Sequence, residues 1–81
     1  MAIRLVFLGK LADLAGAPQR EIATATLGWA DLLAGCGAEL GGALASEKVR
    51  VALNGVIVAD KASLKACDGD ELALLPPVSG G

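Results

Sequence analysis

The chain has 81 residues, seven Lys and Arg against nine Asp and Glu, no histidine, and a net charge of −2. That length holds one small domain, and a near-neutral chain with no basic run and no interleaved aromatics is a poor nucleic-acid binder. Without histidine the chain has no imidazole metal ligands and no Ser-His or Cys-His catalysis of its own, and none of its apolar runs reaches the ~18–20 residues of a membrane span.

Ala2 to Leu8 alternates, with Ile3, Leu5 and Phe7 on one face and Arg4 and Val6 on the other, which predicts a strand. Met1-Ala2-Ile3-Arg4 leads straight into it, with no signal-peptide pattern. Gly9 ends the strand. Lys10 to Ala15 predicts a short helical turn, with Leu11 and Leu14 three apart on one side. Gly16-Ala17-Pro18 is punctuation, and Gln19 to Ala25 predicts a second strand, weakly patterned by Ile22 and Thr24.

Thr26 or Gly28 is positioned to cap the main helix. Trp29, Leu32, Leu33, Cys36 and Leu40 then fall on one helical stripe. Gly35 and Gly37 weaken that helix, and Ala38 to Ala45 continues it as a second piece. Lys48 to Leu53 is the cleanest strand: Val49, Val51 and Leu53 point one way, Lys48, Arg50 and Ala52 the other. Asn54-Gly55 is a two-residue hairpin signal, since both types tolerate positive φ, and Val56-Ile57-Val58 is the return strand. Asp60 to Ala66 reads as a loop with a helical turn and Leu64 as an inward anchor. Asp68-Gly69-Asp70 reads as a turn rather than a metal site, because further ligands are lacking. Glu71 to Leu75 is the last strand.

The expected order is β-β-α-β-β-β, one long helix crossing between two hairpin-like halves and packing on one face of a mixed sheet in an α+β domain. Cys36 fills the helix stripe. Cys67 lies in a loop with nothing near it in sequence to lower its pKa, and two unrelated thiols fit a reduced, cytoplasmic setting better than a disulfide.

Pro76-Pro77-Val78-Ser79-Gly80-Gly81 is the most informative segment. Two prolines hold φ and favour an extended path, and two glycines leave a carboxylate tip with no side chain beside it. At ~3.3 Å per residue such a tail reaches roughly 20 Å, enough to enter a partner's active site. Residues 1–75 are thus expected to form the domain and 76–81 a flexible Gly-Gly tail. Pro-Pro after a strand is also a common stop signal, and a Gly-Gly end a common passive extension.

With these segments in view the chain resembles the small, sulfur-carrying subunits of molybdopterin synthase, which are ubiquitin-like β-grasp proteins. The likeness lies in Leu5-Val6-Phe7-Leu8-Gly9-Lys10-Leu11-Ala12-Asp13-Leu14-Ala15-Gly16, in Val51-Ala52-Leu53-Asn54-Gly55, in Leu64 to Leu75 with Cys67-Asp68-Gly69-Asp70 inside it, and most specifically in the Pro-Pro-Val-Ser-Gly-Gly end. The chain has Ala12-Asp13 where the family commonly has an Arg-Glu pair, which removes a local charge contact.

The resemblance implies a mixed sheet of about five strands with one main helix on one face. It also implies that a ubiquitin-activating-like adenylyltransferase uses ATP to adenylate the carboxylate of Gly81, and that a sulfur donor protein then converts it to a thiocarboxylate. Pro76, Pro77, Val78, Ser79 and Gly80 would insert into the large synthase subunit, in a two-plus-two assembly. Sulfur would pass to a cyclic pyranopterin monophosphate to build the molybdopterin dithiolene. On this reading the chain is no enzyme on its own, holds no metal or cofactor, and has neither nucleic-acid nor membrane partners. Leu75 immediately precedes the tail and is expected on the docking edge. Phe7 is expected either there or in the core. Two alternatives stand beside this: a sulfur carrier for thiamine thiazole synthesis, and a noncovalent β-grasp binding module.

Overall fold

A computed structural model describes residues 1–77. Its centre is the strand β7 (Glu71–Leu75), which runs parallel to β1 (Ile3–Phe7) on one side and antiparallel to β4 (Arg50–Leu53) on the other. The antiparallel strands β2 (Gln19–Ile22) and β5 (Val56–Ile57) complete a five-stranded sheet in the order β2-β1-β7-β4-β5. One long helix, α2 (Trp29–Leu44), packs on this sheet, and the short α1 (Lys10–Ala15) joins β1 to β2. This is the α+β, β-grasp arrangement that the sequence leads one to expect.

The alternation in β1 explains how the layers form. Ile3, Leu5 and Phe7 are at most 2% exposed and lie against Leu32, Leu40 and Leu44 of α2. Leu72 and Leu74 of β7 and Val51 of β4 bury fully on the same side. Removing this much apolar surface from water is the main force holding so small a domain together.

Local chemistry sets the turns. Asn54 and Gly55 both take positive φ, 49° and 86°, as a two-residue hairpin between right-twisted strands requires. At the start of α2 the Gly28 N–H donates to Oδ2 of Asp31 at 3.3 Å, so Gly28 is the cap and the carboxylate of the first turn serves it. The helix kinks at Gly37, where φ is 84° and ψ is 170°. The break expected around Gly35 and Gly37 is thus there, with two helical pieces meeting at Gly37.

Two differences from the expected order have simple causes. Thr26–Gly28 and Lys65–Cys67 form short strands, β3 and β6, that pair antiparallel in a sheet of their own, and β2 ends at Ile22 rather than at Ala25. Each short strand buries one side chain, Leu27 and Ala66, which is too few to leave an alternation pattern. Leu14 is 44% exposed while Leu11 is buried, because α1 has only six residues and turns only Leu11 onto the core. No helix among the described residues is long and apolar enough to cross a membrane.

Candidate functional site

The site is the end of β7 and the sheet face that α2 leaves uncovered. In a pleated strand successive side chains point to opposite faces. With Leu72 and Leu74 turned inward, Ala73 and Leu75 turn outward. The register carries this pattern across the sheet: Val6 pairs with Ala73, Ala73 with Ala52, Ala52 with Ile57, and Leu75 with Arg50. The result is a small-residue apolar strip, Val6-Ala73-Ala52-Ile57, with half-buried Leu75 beside it. Ile57 is 53% exposed at its far end.

Charged side chains border the strip. Arg50 stands next to Leu75 in the register, and Arg4 lies 3.8 Å from Glu71 with both side chains 51% exposed. An ion pair that wet contributes little to stability.

Beyond Leu75 come Pro76 and Pro77, both half-buried. Pro76 starts from a defined seat. The Leu8 N–H donates to the Leu74 carbonyl at 3.1 Å, continuing the β1–β7 ladder to its last rung. The chain then turns at Gly9, with φ 56° and ψ −134°, into α1. A Cβ on Gly9 would sit 3.1 Å from Cγ of Pro76. The turn and the first proline of the tail are therefore in close apposition.

Of the residues expected at the site, the structure brings Leu75, Pro76 and Pro77 together at this edge. Val78, Ser79, Gly80 and Gly81 lie outside the described residues. Of the two places expected for Phe7, the docking edge or the core, the structure puts it in the core: it is 2% exposed and pairs in register with inward-facing Leu74. Phe7 shares a face with Ile3 and Leu5, so the β1 side chains on the outer face are Arg4 and Val6. The Arg20 guanidinium lies 6.0 Å from the centre of the Phe7 ring and donates to the Ala15 carbonyl. Gly9, Val6, Ala52 and Ala73 are the members that the sequence did not single out. Alanine carries no signal of which face it will occupy, and Gly9 reads simply as the end of a strand.

The thiols stand apart from this edge. Cys36 is half-buried on α2, and burial pushes its thiol pKa up despite the opposing charge of Arg20. Cys67 is exposed on β6 rather than in a loop. Among the described residues no three His, Cys, Asp or Glu side chains gather as a metal site. Asp68-Gly69-Asp70 is a turn tied to its surroundings: Asp68 accepts from the Ala2 N–H, and Asp70 accepts from Asn54 Nδ2 and the Cys67 N–H.

The family model described as the ThiS family matches residues 5–81. No curated protein sequence matches the chain significantly. Among solved structures, the solution structure of the Haloferax volcanii HVO 2177 protein is 30% identical, covering 100% of this chain and 87% of that one, with a TM-score of 0.74. A chain in the complex of subunits 1 and 2 of molybdopterin-converting factor from Helicobacter pylori is 26% identical, covering 100% of both chains, with a TM-score of 0.67. The crystal structure of SAMP1 from Haloferax volcanii is 24% identical over 100% of both chains, with a TM-score of 0.72, and shows the shared fold.

Proposed function

The chain belongs to the ThiS family of ubiquitin-like sulfur carriers, and from that premise we propose that it is the small, sulfur-carrying subunit of a molybdopterin synthase. The carboxylate of Gly81 attacks the α-phosphate of ATP in an activating partner related to the ubiquitin-activating enzymes, and pyrophosphate leaves. A sulfur nucleophile delivered by a donor protein then displaces AMP from the acyl-adenylate and leaves a thiocarboxylate. The large subunit takes up the tail, and sulfur passes to a cyclic pyranopterin monophosphate. This chemistry belongs to the cytoplasm, where ATP and reduced thiols are at hand.

The residues suit these steps. Adenylation converts a poor electrophile into one with a good leaving group, and Gly81 puts no side chain beside the reacting carbonyl. Pro76 and Pro77 restrict the free chain and so lower the entropy lost on insertion. The strip offers a partner an apolar surface of half-buried Val6 and Ala73 and 53% exposed Ile57, with Ala52 lying low between them at 6%, and Leu75 and Arg50 supply an anchor and a charge at its edge.

One observation carries the reading. β7, the central strand, ends at Leu75 on the face left open by α2, so docking of that face brings the start of the tail to the partner. The likeness to a chain of the Helicobacter pylori molybdopterin-converting factor complex and the Pro-Pro-Val-Ser approach to the glycines favour the molybdopterin branch.

Intact-mass measurement tests the carrier step. After incubation with the activating enzyme, ATP and a sulfur source, one oxygen is exchanged for sulfur at the terminal residue. An unchanged mass would leave only a noncovalent binding module. Affinity purification from the native host tests the branch: recovery of a large molybdopterin synthase subunit supports it, and a thiazole-forming synthase as sole partner overturns it.

A further inference from the structure

We propose that Gly9 is a positioning residue for the tail: the bare turn between β1 and α1 seats Pro76 and sets the direction in which the chain leaves the sheet. This rests on the carrier reading above and adds to it the means by which a compact body aims its reactive end.

Three observations converge on this turn. First, its backbone is demanding. A φ of 56° with ψ of −134° is a conformation that glycine adopts freely and L-residues with a Cβ resist. Second, it is held on both sides. The Leu8 N–H donates to the Leu74 carbonyl at 3.1 Å, and the Leu11 and Ala12 N–H groups donate back to Leu8 and Gly9 at 3.1 Å each. The turn is thus fastened to β7 at one end and to α1 at the other. Third, it is filled from the tail side. Any Cβ on Gly9 would lie 3.1 Å from Pro76 Cγ, inside ordinary van der Waals contact.

Pro76 is the right partner for such a seat. Its ring has a locked φ and no side-chain rotamer to swing aside. A side chain at position 9 would press on that ring, so its pucker or the backbone of Pro76 must give by a few tenths of an ångström. A shift of Pro76 changes where the tail leaves the sheet, five residues before Gly81. The loss would fall on recognition of the tail and not on the chemistry of the carboxylate once it is bound.

The test is a double-substitution cycle on the full chain, read by ATP–pyrophosphate exchange with its activating enzyme at varied carrier concentration. Gly9→Ala is expected to raise the KM for the carrier about tenfold with kcat nearly unchanged, and Pro76→Ala to raise it about threefold. In the double variant the ring is gone, so the combined rise is expected to stay at or below that of Gly9→Ala alone. Independent effects, multiplying to roughly thirtyfold, would overturn the proposal, as would an unchanged KM in Gly9→Ala. If Gly9→Ala does not fold, as thermal melting would show, Pro76→Ala decides by itself: a raised KM at an unchanged melting midpoint supports the seat, and an unchanged KM overturns it. Failure of the carrier reading looks different, since the unsubstituted chain would then support no exchange at all.

Discussion

The ammonium nitrogen of Lys61 lies 5.2 Å from the centre of the Trp29 ring and donates to the carbonyls of Leu44, Ser46 and Val49 at 3.2, 2.6 and 2.9 Å. One side chain from the turn after β5 thereby joins the end of α2, the loop that follows it and the approach to β4. Positive charge at a helix C-terminus is favourable, because the last carbonyls of the helix have no partners within it. Burial, and then the nearby charge of Arg50, pull the Lys61 pKa below the ordinary lysine value, with Glu47 opposing. The three carbonyls and the ring face offset that loss of hydration.

Lys61→Met keeps the length of the side chain and removes its donors. Three carbonyls then lose a shared partner, which costs about 1–3 kcal/mol. For a domain of this size that lowers the melting midpoint by roughly 5–20 °C. Thermal unfolding followed by circular dichroism gives the midpoint, and Trp29, the single tryptophan, reports the local change by fluorescence. A midpoint equal to that of the unsubstituted chain would show the ammonium to be dispensable.

Acid sensitivity should trace in part to Asp70. Its carboxylate accepts from Asn54 Nδ2 at 3.0 Å and from the Cys67 N–H at 2.8 Å, and these bonds, the Asn54 one first, hold its pKa below the ordinary value. A depressed folded-state pKa means that the unfolded chain takes up the proton more readily. The contribution is therefore complete above the unfolded carboxylate pKa of about 4 and is lost as pH falls through the lower folded value. Asp70→Asn should flatten the decline of the melting midpoint below about pH 4. An equally steep decline in the variant would assign the acid sensitivity to other carboxylates.

The outer face should matter to partners and little to folding. Leu75→Glu places a charge on the open side of β7, next to Arg50 in the register. Desolvating that charge against an apolar partner surface should weaken docking at least tenfold, while the melting midpoint moves by no more than about 5 °C. Calorimetric titration against the large subunit or the activating enzyme measures it. An unaltered affinity would move the docking surface elsewhere.

The tail makes the last prediction. Deleting Gly81, or adding one residue after it, should abolish sulfur transfer and leave the melting midpoint unchanged. The first leaves a glycine carboxylate on Gly80, one residue short of the reacting position, and the second moves the free carboxylate one residue beyond it. Transfer retained in either variant, measured by thiocarboxylate mass, would refute a role for the Gly81 carbonyl.

Much of the architecture was legible because it rests on short-range chemistry. Lys10–Ala15 and Glu71–Leu75 fall where their patterns place them, and Asn54-Gly55 makes its hairpin. The alternation of Ile3, Leu5 and Phe7 defines a buried face. The two-strand sheet β3–β6 was not legible, because each strand buries a single side chain and its partner lies far along the chain. The seat at Gly9 was equally hidden, since nothing near position 9 in the sequence announces Pro76.

The order of amino acids by itself determined the five strands of the main sheet, the main helix, its weak point near Gly37 and the unusual Pro-Pro-Val-Ser-Gly-Gly end, because periodicity, turn geometry and ring constraints act over a few residues. Only tertiary structure decided that Val6 rather than Phe7 lies on the open face, that Ala52 and Ala73 meet there, and that Lys61 reaches three carbonyls. A two-residue alternation sorts side chains into two sets. Which set the helix covers, and which strands come side by side, is settled by packing between segments separated by dozens of positions.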